Sequence, residues 1–399
     1  MDDMTDAKGK DRLHHPIPPV YDERTEVLIL GSFPSPKSRE TGFFYGHPQN
    51  RMWRVLARIF DEPVPVTVER KRDFLLRRHI GMWDVLASCS ISGASDASIA
   101  DEAPNDLAPL FAKAPIKAVL CAGTTATRLY ERHCLAQTGM SCMAMPSTSP
   151  ANARMGLEDL VGKWSVIRQF LTQPEEPVLD VPAVVALEKA IAADGTSLAE
   201  LMDRAGTWLA YRVHATAPDA RIAVLAGNGN NGGDGWVAAR ELARWGHAVS
   251  MVTARSVDGI TAQPAHDAAK AALEEYAQTG VRVLVSPDEQ EVSSLLERAD
   301  VIIDALLGTG FAHDSVRAPF DVWIEAANAQ RNRGARVVAA DCPSGLNAQT
   351  GTVSNPCICA DETVTMIVAK PGLACGRGSD MCGDVHVAHL CDIDAYLKG

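Results

Sequence analysis

Five short apolar runs between residues 221 and 341, RIAVLA, AVSMVT, VRVLV, DVIIDALL and ARVVAAD, lack the alternation of polar and apolar residues that a half-exposed strand shows. Strands buried on both faces have no such alternation, so these runs read as a mostly parallel sheet with helices on each side. The stretches between them, such as AQPAHDAAKAALEEYAQTG and PFDVWIEAANAQRNRG, are long enough for the helical crossovers that parallel strands need. Ahead of the runs, ALEKAIAADGTSLAELMDRAGTWLAYRVHA reads as helix, broken near Gly195 and Thr196. This part of the chain is expected to be a Rossmann-like doubly wound fold.

At 399 residues the chain is long enough for two cores. From about residue 21 to 172 short apolar runs (EVLILGS, GMWDVL, IKAVLCAG) alternate with helical stretches (RMWRVLARIF, DLVGKWSVIRQFL), a second α/β rhythm. The proline-rich, acidic LTQPEEPVLDVP reads as an exposed junction. The expected layout is a mobile lead-in over 1–20, a domain over 21–173, a linker over 174–182 and a domain over 183–399, both domains three-layer α/β. Charge is unevenly placed. Residues 1–172 hold 21 Lys and Arg against 20 Asp and Glu, which leaves 38 − 21 = 17 against 50 − 20 = 30 for the rest. The second part is a poor binder of a polyanion, while the first has room for a local basic face. Six of the ten cysteines fall between Cys342 and Cys391, but without a CxxC pair, so they read as reduced, packed thiols and not as a zinc site. No apolar run is long enough to span a bilayer, and the acidic, polar start is unlike a signal peptide; a cytoplasmic protein with no membrane partner is expected.

In an open parallel sheet, ligands sit beyond the carboxyl ends of the strands. Three of the runs end in polar, glycine-containing loops: GNGNNGGDG at 227–235, DALLGTG at 304–310 and DCPSG at 341–345. Glycines let backbone N–H groups approach a phosphate at a helix start. Amide, carboxylate and hydroxyl oxygens suit a hard cation. The first loop is neither GxGxxG nor a P-loop. Taken with ADCPSGLNAQTG, ADETVTM and AKPGL, these segments resemble, in order, the signatures of the NAD(P)H-hydrate epimerase family, the YjeF N-terminal domain, over about residues 183–393. The resemblance implies interconversion of the R and S epimers of the hydrated cofactors NADHX and NADPHX, with a separate dehydratase acting downstream. Members are commonly dimeric, so a homodimer is one expected assembly. By motif, Asn230, Asn231, Gly232, Gly233 and Asp234 line the phosphate and nicotinamide end of the substrate, joined by Gly308, Thr309 and Gly310. Asn231, Asp304 and Ser344 match potassium-coordinating positions, and Asp341 matches the substrate-contacting acid, suited to moving a proton. Asp203 and Arg204 depart from the family's early helix motif.

In the first domain the informative stretches are GSFPSPKSRETGFFYGHPQNRMW at 31–53 and PSTSPAN at 146–152. Exposed aromatics at 43–45 would suit a stacked planar ligand; the alternative is that they are core. With GMWDVLASCSISGASDASI, these stretches resemble the uracil-DNA glycosylase superfamily over about residues 24–172, and most of all its hypoxanthine-DNA glycosylase branch. That resemblance implies a flipped deoxynucleotide, DNA containing deoxyinosine or deoxyuridine as partner, and no metal. Tyr45 falls where the base is stacked. Phe33 stands where many relatives carry a water-activating Asn or Asp, and Asn50 is the expected replacement because its amide both accepts and donates. Ser147, Ser149 and Asn152 are expected to approach the nucleotide from the second loop. His47 reads as structural, and Asp84 and Asp96 as partners of arginines or as helix caps. The same residues also fit a uracil-specific glycosylase, or a first domain that has lost catalysis and serves as a binding module.

Overall fold

The computed structural model describes residues 12–93, 96–172 and 176–397, with the side chain of Ala395 excepted. Residues 1–11 of the expected lead-in and 173–175 of the expected junction lie outside these. The chain divides into two compact units, 1–174 and 175–399.

Strands of the first unit are β1 (Arg12–His14), β2 (Val27–Gly31), β3 (Ile80–Asp84), β4 (Leu86–Ser90), β5 (Ala100–Pro104), β6 (Ala118–Ala122) and β7 (Cys142–Met145). A parallel sheet of order β3-β2-β6-β7 carries the unit, beside an antiparallel sheet β1-β4-β5. Successive side chains of a strand point to opposite faces, and β2 shows the consequence. Val27 and Ile29 enter one core with Met52, Leu56 and Trp164, while Leu28 and Leu30 enter another with Leu110, Leu129 and Tyr130. Two cores on one sheet make three layers. Residues 12–20 of the expected lead-in pack onto the unit. Arg12–His14 pairs with Ser88–Ser90, and Ile17 and Val20 are fully buried.

The second unit contains β8 (Arg221–Ala226), β9 (Ala248–Thr253), β10 (Arg282–Val285), β11 (Val301–Ala305), β12 (Arg336–Ala340), β13 (Glu362–Met366) and β14 (Asp384–Ala388). All pair in parallel, in the order β10-β9-β8-β11-β12-β13-β14. Alternate residues again divide between two cores: Ile222, Val224 and Ala226 face the helices Leu198–Thr216 and Asn230–Arg244, and Ala223 and Leu225 face the helix Phe320–Arg331. Helix Val181–Ala193 stops at Asp194, and the next starts at Leu198 behind its Ser197 cap, so the break falls at the expected place. The expected linker ends early. Val178 bridges to Ala369, the Leu179 amide donates to the Ala369 carbonyl at 3.0 Å, and the Asp180 carboxylate caps the helix that follows. Winding reverses between β8 and β11, which opens the crevice where such sheets take ligands.

Candidate functional site

At that crevice a cavity of about 760 Å³ opens between the loops after β8, β11 and β12. Asn230, Asn231 and Asp234 line it from the first loop, Gly308, Thr309 and Gly310 from the second, and Asp341 from the third. Glu188 of the helix Val181–Ala193, which no motif reading singled out, lines it too.

Glycines of the first loop divide into two kinds. A Cβ on Gly227 would lie 1.9 Å from the Leu306 carbonyl oxygen, and one on Gly232 would lie 2.0 Å from that of Gly227. Gly233 similarly has the Met202 sulfur 2.4 Å from where its Cβ would be. These residues let the helix Asn230–Arg244 seat against the sheet and its neighbour. Gly232 and Gly233 therefore differ from expectation: both are buried and neither lines the cavity, whereas Gly229, the helix N-cap, does. Asp203 and Arg204, the departures in the early helix, do not line it either. Arg204 donates to the Leu390 carbonyl at 2.7 Å, and Asp203 pairs with Arg240.

Asp304 ends β11 fully buried. Its oxygens accept from the Ser344 hydroxyl at 2.6 Å, the Ser344 amide at 2.8 Å and the Leu306 amide at 3.3 Å, all neutral donors. Burial pushes its carboxyl up to about 6, against the opposing effect of those hydrogen bonds. Both side-chain polar atoms of Asn231 are buried without a partner, and Asn231 Cβ lies 3.1 Å from where a Cβ on Gly308 would sit. Asn231 has its amide unspent and Asp304 has only neutral donors, so the oxygens of Asn231, Asp304 and Ser344 are of the kind a hard cation takes, although Asp304 and Ser344 do not line the cavity. Asp234 is also buried. Burial raises its carboxyl well above the usual range, and the negative charges of Asp341 and Glu188 add to this, offset in part by Lys370.

In the first unit the parallel strands again deliver loops to one edge. Register pairs Gly31 with Asp84 at the ends of β2 and β3, and the loop Pro146–Asn152 follows β7. Asn50 links the loops, its Oδ1 accepting from the Thr148 hydroxyl and the Met52 amide, each at 2.9 Å. The acceptor of the amide is thus spent inside the protein, which leaves Nδ2 as the available group. Arg51, missed in the sequence, is the clamp: its guanidinium donates to the carbonyls of Thr148, Ser149, Asn152 and Met155. Ser147 and Ser149 oxygens accept from the amides of Ser149 and Ala151, and Asn152 donates to the Ser147 carbonyl. Both serine hydroxyl protons stay available to a ligand.

Phe43 and Phe44 are core, not exposed, and Tyr45 is half-buried with a left-handed backbone, φ 51°. Its hydroxyl is buried without a partner, and burial raises the phenol well above its usual range, with Asp84 and Asp96 adding to the shift. Asp84 pairs with no arginine. It takes His15 Nε2 at 2.8 Å, and Asp96 accepts from Ser32 Oγ at 2.8 Å. Phe33 is buried edge-on to His15. His47 accepts from the Gln49 amide within its own turn. Among the cysteines Cys375 alone is exposed, and all ten are free thiols.

Two α/β units, each presenting loops at the carboxyl edge of a parallel sheet, match two family models. The model described as uracil DNA glycosylase superfamily covers residues 18–168, and that described as YjeF-related protein N-terminus covers 198–372. The chain joins a uracil-DNA glycosylase superfamily domain to a domain of the YjeF N-terminal, NAD(P)H-hydrate epimerase family. The bifunctional NAD(P)H-hydrate repair enzyme of Escherichia coli is 39% identical over 209 residues, 51% of this chain and 37% of its own length. The NAD(P)H-hydrate epimerase of Rhodopirellula baltica is 29% identical over 243 residues, 59% of this chain and 95% of its own. A solution structure from Methanosarcina acetivorans, described as a candidate uracil DNA glycosylase, is 34% identical, covers 38% of this chain and 93% of that one, and has a TM-score of 0.34. The chain thus spans between a third and two fifths of the bifunctional repair enzymes it matches. Among the described residues no helix is long and apolar enough to cross a membrane.

Gly227→Ala and Gly229→Ala separate the two kinds of glycine. Backbone cannot yield to the methyl at Gly227, so that variant is expected to lose about 3 kcal/mol or more of stability. Open space surrounds Gly229, and its variant is expected within about 1 kcal/mol of the parent. Urea denaturation of the two proteins measures the difference.

Proposed function

We propose that the second unit interconverts the R and S epimers of NADHX and NADPHX. The observation that supports this most is the convergence of Asn230, Asn231, Asp234, Gly308, Thr309, Gly310 and Asp341 on one cavity at the switch point of the sheet. The N-terminus of the helix Asn230–Arg244 opens there, with first-turn N–H groups suited to phosphate. Epimerisation at C6 of the hydrate requires the ring to open and reclose on the other face. Asp341 takes the proton of the C6 hydroxyl as the C6–N1 electron pair moves to nitrogen, and passes that proton to N1. After rotation of the aldehyde the same transfers run in reverse, with no net gain or loss of atoms. In the same reading Asn231, Asp304 and Ser344 would hold potassium, which would supply positive charge for an anionic substrate. A separate dehydratase consumes one epimer.

For the first unit we propose release of hypoxanthine, or uracil, from DNA. The Nδ2 of Asn50 then donates a hydrogen bond to the flipped nucleotide, Tyr45 stacks on its base, and Ser147, Ser149 and Asn152 hold the backbone. Neutral donors bind phosphate here without adding charge to a nearly neutral unit.

Two experiments test these readings. Starting from one purified epimer of NADPHX, chromatography is expected to show both epimers with the parent chain, and exchange slowed about 10²- to 10⁴-fold with Asp341→Asn; full exchange by Asp341→Asn would remove the proton-transfer role. With oligonucleotides containing deoxyinosine or deoxyuridine, alkali-revealed abasic sites are expected for the parent. For Asn50→Ala the single-turnover rate should fall about 10²- to 10³-fold. No cleavage of either substrate by the parent would favour the binding-module reading.

A further inference from the structure

Among the described residues Lys370 is the charged side chain that stands with the tryptophans among the largest fully buried ones. It stands in AKPGL, ahead of the short helical turn Pro371–Leu373, and only 1% of it is exposed. An ammonium removed from water must be fully hydrogen-bonded, and this one is. Its Nζ donates to Asp341 Oδ1 at 2.6 Å, to the Met366 carbonyl at 2.8 Å and to Thr365 Oγ1 at 3.0 Å, which accounts for its three protons.

The acceptor side is equally selective. Thr365 Oγ1, the Met366 amide and Lys370 all converge on Oδ1 of Asp341, and among the described residues no hydrogen bond ends on Oδ2. The carboxylate is therefore fixed in rotation with one oxygen held by the protein and the other left for a ligand. Backbone conformation on both sides of the bond is costly. Asp341 has φ 64°, and the β-branched Ile367 has φ 66°; positions of this kind persist only where the surroundings hold them. Ile367 lines the same cavity, as do Glu188 and Asp234, so three carboxylates share a space where Lys370 is the buried cation bonded to one of them.

We propose that Lys370 is a positioning residue for the epimerase reaction: it pins Oδ1 of Asp341 and thereby aims Oδ2 at the reacting carbon of the hydrated dinucleotide. The inference rests on the epimerase reading of the second unit. Lys370 itself does not touch the substrate. It distinguishes Asp341 from Glu188 and Asp234, which have no such cation bonded to them, and so decides which of the three acids takes the hydroxyl proton.

Lys370→Met keeps the volume of the stem and removes the ammonium, and Asp341→Asn/Lys370→Met removes both charges, so that the buried pair is absent and not merely broken. Epimer exchange is measured for the full-length parent, both single variants and the double variant, with kcat and KM determined separately. A carboxylate misplaced by an ångström costs about 100-fold in rate, so Lys370→Met is expected to lower kcat by about that factor with KM within threefold. The double variant is expected to be no slower than Asp341→Asn alone, because a residue acting through Asp341 has nothing further to lose. Unchanged kcat in Lys370→Met overturns the proposal, and so does a further tenfold loss in the double variant, which would place Lys370 on the substrate. If the parent shows no exchange, the epimerase reading fails and this proposal falls with it.

Discussion

Ser344 donates both its amide and its hydroxyl to the buried carboxylate of Asp304, and this fastens the ends of two neighbouring parallel strands to each other. Much of the second unit's site follows from that fastening. The Ser344 hydroxyl oxygen in turn accepts the Leu307 amide, which sets the course of the loop toward Gly308. The Leu306 carbonyl closes on Gly227, which brings the glycine-rich loop within reach. Asn231 then lies against Gly308 with its amide unspent. An ionised acid held only by neutral donors is unfavourable by itself, and burial raises the Asp304 carboxyl accordingly. A bound cation, as proposed above, would offset it.

The first unit solves a similar problem with a cation of its own. Arg51 spends its guanidinium on backbone carbonyls of the second loop, and Asn50, its neighbour, is tied to Thr148 of that loop. Guanidinium donors in a fixed fork suit several carbonyls at once, which a lysine would not match. The loop's own side chains satisfy its amides, so its shape does not wait for a ligand. Across the edge, Asp84 and His15 bury an acid next to Gly31, whose missing Cβ leaves the space that the carboxylate takes: an atom there would lie 2.1 Å from Oδ1.

Unbroken apolar runs made the five strands from β8 to β12 readable, through burial on both faces in β8, β9, β11 and β12; the edge strand β10 carries the same apolar run although its ends are exposed, Val285 to 48%. The loops that end β8, β11 and β12 were readable for the same reason: polar glycine-rich stretches follow apolar strands, and parallel pairing must bring their ends together. Lys370 could not be read in this way. Twenty-nine residues separate it from Asp341, and nothing in AKPGL says that its ammonium turns inward. Gly232 and Gly233 carried the signature of a phosphate loop but serve helix packing, since composition does not distinguish a backbone that nears a ligand from one that nears its own sheet. His15 lay in a polar, proline-bounded stretch whose few apolar residues, Leu13, Ile17 and Val20, gave too little pattern to show a strand and a buried pair. Phe43 and Phe44 looked like a stacking platform and are core, because one consecutive aromatic run cannot show which ring turns out; Tyr45 is the one left half-open.

The proposal that follows is that three strand ends build one site, in which Asn231, Asp304 and Ser344 would hold a monovalent cation. Thallium(I) is a heavy stand-in for potassium, and its anomalous scattering locates it without interpretation of solvent. In crystals of the chain soaked with thallium, the account predicts an anomalous peak bonded to the Asn231 amide oxygen and the Asp304 carboxylate, and its loss in Asp304→Ala. Thallium bound elsewhere, with no peak between those residues, would contradict it.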